Sequence, residues 1–256
     1  MILTIGVGNS HIVLGGFNKE ALTFTARLSS AAMTADEMAI QLKAVLDIRS
    51  AAISAVEGTI ISSVVPPITD NIVKALLLLL GKKPILVGPG IKTGINILID
   101  NPAQLGSDIL VNSVAAACLY PKPVIVADMG TATTLSVIND KNCMIGGAIL
   151  PGVGISLHAL STNTAQLPQI NIEAPKKAIG TNTIDCMKSG IVLGNASMLD
   201  GMLSRFEAEI GKPCTTVATG GFAEEICRHT KRKICYNPHL LLEGLYVLYK
   251  KNTGGK

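Results

Sequence analysis

The sequence predicts an α/β chain of two lobes built on one duplicated plan, with mixed sheets flanked by helices. Three observations carry this reading. Ile2-Leu3-Thr4-Ile5-Gly6-Val7-Gly8-Asn9-Ser10 and Ile125-Val126-Ala127-Asp128-Met129-Gly130-Thr131-Ala132-Thr133-Thr134 are near copies. Each is a β-type apolar run that breaks at a small-residue turn and resumes as a second run, Ile12–Leu14 or Leu135–Ile138. The order that follows, strands first and then alternating strand and helix, is the same in both halves. A hydrophobic fraction of 48% against 16% charged over 256 residues supplies apolar surface for a sizeable core and argues against disorder.

The elements follow in order. Ile2–Ile5, Ile12–Gly16 and Leu22–Leu28 read as strands joined by turns. Thr34-Ala35-Asp36-Glu37 is a capping box, and Met38, Leu42, Val45 and Leu46 recur at helical spacing after it. Ile60–Val65 is a strand ended by Pro66-Pro67, Ile68–Leu80 is helical, and Pro84–Val87 is a short strand. Leu110–Leu119 is an apolar helix, and Tyr120-Pro121-Lys122-Pro123 marks a stiff boundary between lobes at 1–120 and 121–256. In the second lobe Val124–Ala127, Thr134–Ile138 and Gly146–Ile149 are strands, and Ile155–Leu160 opens a helix. Another helix runs from Asn182/Thr183 to about Leu203. Thr216–Ala218 is a strand, a helix follows through Cys227, Pro238–Tyr249 is the last helix, and Thr253–Lys256 is a frayed end.

Composition excludes several classes. With 3% aromatics, no Trp and a net charge of +4, a base-stacking nucleic-acid platform is not expected. The one basic cluster, Lys231-Arg232-Lys233, reads as a solvated turn. The six cysteines form no CxxC pair and predict buried free thiols in a reduced, cytoplasmic protein. The N-terminal run has no charged leader and does not read as a signal peptide. The apolar block Ala75–Leu80 is too short to cross a bilayer, so no membrane partner is expected.

No Walker A string and no GxGxxG occurs, so any phosphate is held without a P-loop lysine. The two turns are the candidates. Gly8-Asn9-Ser10 offers backbone, an amide and a hydroxyl, and Gly130–Thr134 offers backbone N–H groups and three hydroxyls. Either alone also reads as an ordinary hairpin turn; their duplication favours an anionic ligand between two lobes. Asp128, at the end of a buried-looking strand, is costly without a cation or several donors, and so is either a metal ligand near phosphates or an acceptor of turn N–H bonds. Asp108 in Gln104-Leu105-Gly106-Ser107-Asp108 is a candidate general base, with a helix-capping carboxylate as the rival reading. Thr219-Gly220-Gly221 allows close approach to a flat or anionic ligand such as adenosine, or is a tight strand-to-helix turn. Gly146–Gly152 fits close packing near a cleft or at a subunit contact. His11, His158, His229 and His239 are scattered and receive no catalytic role. Aligning Gly8 with Gly130 sets Gly6 where Asp128 stands, so the first turn lacks the second's carboxylate.

The duplicated order and turns resemble the actin and sugar-kinase superfamily, a ribonuclease-H-like (actin-like ATPase) fold. More specifically, the chain resembles the type III pantothenate kinase family. The resemblance runs through Val7-Gly8-Asn9-Ser10, Asn101-Pro102 with Gly106-Ser107-Asp108, and Asp128-Met129-Gly130-Thr131-Ala132-Thr133-Thr134. It continues through Gly146–Gly152, Thr164-Ala165-Gln166-Leu167-Pro168, Gly180-Thr181-Asn182-Thr183 and Ala218-Thr219-Gly220-Gly221. It implies a homodimer and ATP-dependent phosphorylation of the primary hydroxyl of pantothenate, the first step of coenzyme A biosynthesis. By resemblance Asp108 is the catalytic base, and Asp128 holds a monovalent cation, potassium or ammonium, beside Mg²⁺. Gly6, Val7, Gly8, Asn9, Ser10, His11, Ile12, Val13 and Thr131 contact ATP. Gly106, Ser107, Asp108, Ile109 and Thr183 contact pantothenate, with Thr183 near the dimer interface; Gly220 and Gly221 are assigned to the nucleotide.

The chain departs from the family at three positions: the family usually carries Asp at Gly6, Tyr at Ile99 and Arg at Ile109. These departures keep two other readings open beside the kinase. One is a catalytically weak or inactive nucleotide-binding homologue with a sensing role. The other is a kinase for a different small alcohol.

Overall fold

The structure is a computed structural model that describes residues 1–254; Gly255 and Lys256, part of the expected frayed end, lie outside the described residues. In chain order the elements are β1 (Ile2–Val7), β2 (His11–Asn18), β3 (Ala21–Ser29), α1 (Ala35–Ile48), β4 (Gly58–Ser63), α2 (Pro66–Leu80), β5 (Ile85–Leu86), β6 (Asn96–Ile97) and α3 (Ser107–Leu119). They continue with β7 (Val124–Met129), β8 (Ala132–Ile138), β9 (Cys143–Pro151), α4 (Val153–Thr162), α5 (Thr183–Lys188), α6 (Gly194–Ile210), β10 (Thr215–Thr219), α7 (Ala223–Cys227), β11 (Cys235–Tyr236) and α8 (Leu240–Asn252). Two compact units divide the chain differently from a single cut after Tyr120. Unit 1 takes Met1–Ile95, Asp100–Ala115 and the chain from Leu240 onward; unit 2 takes Asn96–Ile99 and Ala116–His239. The terminal helix accounts for the last segment, because its apolar face is buried in unit 1, and the pairing of β6 with β9 accounts for Asn96–Ile99.

Unit 1 carries a sheet in the order β3-β2-β1-β4-β5, antiparallel from β3 to β1 and parallel from β1 to β5. β1 is buried along its whole length, which its largely apolar run reflects, and its one polar residue, Thr4, donates to Gly15 O. Leu3, Ile5 and Val7 pack with Met38, Leu42 and Leu46 of α1 and Ile68, Ile72 and Leu76 of α2. Ile2 packs with Phe17 and with Leu242, Tyr246 and Tyr249 of α8, and the Phe17 and Tyr246 rings stack with centroids 4.5 Å apart. Leu242, Leu245 and Leu248 are at most 1% exposed, each contributing about 1.5–3 kcal/mol of burial. The capping box forms as expected: Glu37 N donates to Thr34 Oγ1 at 3.3 Å and Thr34 N to Glu37 Oε2 at 2.8 Å. Pro66 and Pro67 open α2 after the strand ends, because a first helical turn needs no proline N–H.

Unit 2 carries a sheet in the order β11-β10-β7-β8-β9-β6. Around β7 the neighbours repeat those around β1, with β9-β8-β7-β10-β11 matching β3-β2-β1-β4-β5. Ile125, Ala127, Leu135 and Val137 pack with Val153, Ile191, Val192, Ala196, Leu199 and Leu203. The single helix expected from Asn182 is instead α5, a π-helical turn at Ser189–Leu193, and α6 continuing to Ile210.

Two expectations from composition are corrected. Cys118, Cys186 and Cys235 are exposed, and among the others burial pushes the Cys227 thiol up to about 11. The basic cluster is not a plain solvated turn: Arg232 Nη1 donates to Glu207 Oε2 at 2.5 Å and Lys231 N to Asp200 Oδ2 at 2.8 Å, tying it to α6. No helix among the described residues is long and apolar enough to cross a membrane.

Burial disfavours charge on Glu207, yet the Cys214 N–H and the Arg232 guanidinium outweigh it and hold the carboxyl below its ordinary 4.5. A lowered carboxyl stabilises the fold above the unfolded value, and that contribution is lost as pH falls through the folded value. Glu207→Gln is therefore expected to cost on the order of 1 kcal/mol at pH 7. Thermal melts of parent and variant should converge as pH drops below 4.5.

Candidate functional site

Unit 1 builds its turn between β1 and β2, where Val7 faces Ile12 in the ladder. Gly8 N donates to His11 O at 3.0 Å, closing the turn. Ser30 ties off the carbonyls: its N–H donates to Ser10 O at 3.1 Å and its Oγ to Gly8 O at 2.6 Å. Turn carbonyls satisfied in this way leave the exposed side to donors, the polarity an anion needs. Asn9, Ser10 and His11 are exposed, whereas Gly6 and Val7 are buried. Ile12 lies in the core with α1 and α2 and Val13 packs against the α8 side, so these two bring only backbone to a site.

Asp108 belongs to the same unit. It stands one residue inside α3 rather than at its cap, in a first turn where helix amides favour negative charge. Its Oδ1 accepts from Ile109 N at 2.8 Å. Gly106 makes room for this carboxylate, since a Cβ there would lie 2.6 Å from Asp108 Oδ1. The start of α3 is anchored on the end of β4: Ser62 Oγ donates to Ser107 Oγ, and Ser107 Oγ to Ser63 O, each at 2.9 Å. Ser62 in turn lies opposite Gly6 in the β1–β4 ladder. The structure thus links Gly6, Ser62, Ser107 and Asp108 at the carboxyl ends of parallel strands, where open α/β sheets bind ligands.

Unit 2 builds the second turn between β7 and β8, with Gly130 and Thr131 as its tip. Asp128 is half-buried, opposite Thr134 on β8 and the buried Thr219 on β10. The turn is boxed in by backbone. A Cβ on Gly152, the cap of α4, would collide with Thr131 O and Gly130 O. Gly220 has φ +97, a conformation that favours glycine, and its Cβ would lie 2.6 Å from the Met129 backbone.

The turn's hydroxyls are not equivalent. Thr131 is exposed, while Thr133 is fully buried on the face of Leu135 and Val137 and its Oγ1 has no hydrogen-bond partner. The expectation of three available hydroxyls is corrected by this strand alternation. The Gly220-Gly221 reading is also narrowed: packing on Met129 accounts for Gly220, and only Gly221 has open space around it. Thr183 is the exposed first residue of α5, which Asn182 caps by accepting from Asp185 N at 2.9 Å. Ile99 and Ile109 are both half-buried.

Among the described residues no three His, Cys, Asp or Glu gather in a group that would hold a metal. Asp128 is a single carboxylate, which suits a cation whose remaining oxygen ligands come from phosphate, backbone and water. Three residues escaped the sequence reading. Ser30 and Ser62 act through partners distant in the chain, and Leu241 of α8 fills the space beside Gly6.

Comparison with known proteins agrees with this architecture. A family model described as type III pantothenate kinase matches residues 2–205. A type III pantothenate kinase from Geobacillus sp. (strain WCH70) is 42% identical over 257 residues, covering 100% of both chains. Component A of the (R)-2-hydroxyglutaryl-CoA dehydratase of Acidaminococcus fermentans superposes with a TM-score of 0.59 at 14% identity, covering 100% of this chain and 99% of that one. A ROK hexokinase from Thermus thermophilus superposes with a TM-score of 0.51 at 11% identity, covering 96% and 97%. These structural likenesses show the actin-like ATPase and sugar-kinase fold. With its motifs, its duplicated sheets and this full-length similarity, the chain belongs to the type III pantothenate kinase family.

Proposed function

We propose that this protein transfers the γ-phosphoryl group of ATP to the primary hydroxyl of pantothenate, giving 4′-phosphopantothenate for coenzyme A biosynthesis. The observation that carries the reading is Asp108. Its carboxylate is seated over Gly106 and fixed at the start of a helix that Ser107 anchors to β4. A carboxylate so placed accepts the proton of an attacking hydroxyl. The turns at Gly8–Ser10 and Gly130–Thr131 supply phosphate contacts through backbone N–H groups, and the Gly220-Gly221 segment serves the adenosine part. Gly106, Ser107 and Thr183 are assigned to pantothenate.

ATP carries about four negative charges in a loop system without lysine, so cations share the neutralisation. Asp128 is assigned to a monovalent cation, potassium or ammonium. Mg²⁺ is assigned to the phosphates, since it commonly binds through one or two carboxylates plus phosphate oxygens and water. Both supply charge stabilisation when bound. A second reading, a kinase for an uncharged alcohol, is favoured by Ile109, which puts no cation directly after Asp108.

The protein is further assigned to the cytoplasm and to a homodimer. The outward side of β9 supports self-association: Ile145 and Ile149 are 41% and 76% exposed, and Gly147 and Pro151 alternate with them. Exposed apolar surface of this kind marks interaction sites.

Three outcomes are expected. Asp108→Asn should lower kcat for pantothenate by roughly 10²–10⁴, with ATP affinity unchanged, as read by a coupled ADP-release assay and nucleotide calorimetry. Phosphorylation of a simple alcohol but not of pantothenate would move the assignment to the second reading. Gly220→Ala pushes on the Met129 backbone at a left-handed φ and should weaken ATP binding about tenfold, within the roughly 1–3 kcal/mol that such backbone strain costs. Ile149→Asp should convert a dimer to monomer in sedimentation velocity; a parent protein that sediments as a monomer contradicts the dimer.

A further inference from the structure

The two turns occupy equivalent places in their sheets, and one difference between them concerns charge. Gly6 is the second-last residue of β1, and Asp128 is the second-last of β7. Gly6 faces Val13 in the antiparallel neighbour and Ser62 in the parallel one. Asp128 faces Thr134 and Thr219 in the same two senses. Ser62 and Thr219 are both buried hydroxyl residues. The two places are therefore equivalent in each sheet, and only one holds a carboxylate.

Something else occupies the space in unit 1. A Cβ built on Gly6 would fall inside the van der Waals envelope of Leu241 Cδ2, with Leu241 Cγ at 3.4 Å. Leu241 lies in the first turn of α8, flanked by Leu240 and Leu242, which are 0% and 1% exposed. The seat of the helix fixes the Leu241 backbone, so the space opens only if the end of this half-buried side chain turns away. A carboxylate on residue 6 would have to displace this side chain and sit in buried, mostly apolar surroundings, which is costly.

We infer that Leu241 is a specificity-determining residue of the first phosphate turn: by filling the place equivalent to Asp128, it keeps that turn free of a carboxylate and of any divalent cation such a carboxylate would hold. The residues at this turn do not fit a protein-held Mg²⁺. It meets phosphate through amides and the Asn9 and Ser10 side chains, and of the two turns the one at Asp128 is the one that brings a carboxylate. This inference rests on the nucleotide-binding reading of the turns.

The test is a double-mutant cycle on Gly6→Asp and Leu241→Ala. Thermal stability is read without ligand, and binding of a non-hydrolysable ATP analogue is read by calorimetry with and without Mg²⁺. Gly6→Asp alone should lower Tm by on the order of 5 °C, and adding Leu241→Ala should recover part of that loss. The double variant should show an enhancement of nucleotide affinity by Mg²⁺ at least about tenfold larger than the parent's, in line with the effect of metal-site partners. Gly6→Asp as stable as the parent would show that Leu241 excludes nothing. A double variant with the parent's Mg²⁺ response would show that position 6 does not bear on phosphate. Either result overturns the inference. A parent that binds the analogue but transfers no phosphate counts against the kinase assignment alone. A parent that binds no nucleotide overturns both.

Discussion

The constraint on which the rest of this structure depends is the close approach of backbone to backbone at the ends of the central strands. A turn that offers N–H groups to an anion must have its own carbonyls occupied and its tip held still, without side chains crowding the exposed side. Unit 2 achieves this by pressing Gly152 and Gly220 against Gly130, Thr131 and Met129. Unit 1 uses the Ser30 hydroxyl and N–H as clips on the carbonyls of Gly8 and Ser10. Both devices put ordered donors at the carboxyl edge of a buried parallel strand, where open α/β sheets bind ligands.

The placement of Asp108 follows from the same edge. β4 ends in adjacent serines. Ser62 lies in register with Gly6, and Ser63 supplies the carbonyl that anchors Ser107. The β1–β2 turn and the helix that carries Asp108 are thus fastened to neighbouring strands of one sheet. Such fixed placement of reacting groups is a large part of what phosphoryl transfer asks of a protein.

Much of this is legible from the chain alone, for identifiable reasons. β1 and β7 announce themselves as largely apolar runs because both their faces are buried, and Thr34 with Glu37 marks a helix start by local chemistry alone. Asp128 and the two turns stand out because a carboxylate or a glycine at a strand end needs a reason, and Asp108 because it follows Gly106-Ser107 at the start of an apolar helix. What stays hidden depends on contacts between distant segments. The two-residue strands β6 and β11 are too short to show alternation. The alternation that buries Thr133 appears only once the register with β7 and β9 is known. The return of α8 to unit 1 cannot be read from its own amphipathic pattern, and with it goes the explanation of Gly6, whose missing side chain is answered by Leu241.

The central claim is that backbone N–H groups of both turns are the phosphate contacts. Amide-resolved NMR of the isotopically labelled protein, titrated with ATP and separately with adenosine, tests it most directly. The account predicts that ATP shifts and protects the amides of Gly8–Ser10 and of Gly130–Thr131, and that adenosine leaves both sets unmoved. ATP binding that perturbs neither turn, or equal perturbation by adenosine, would contradict it.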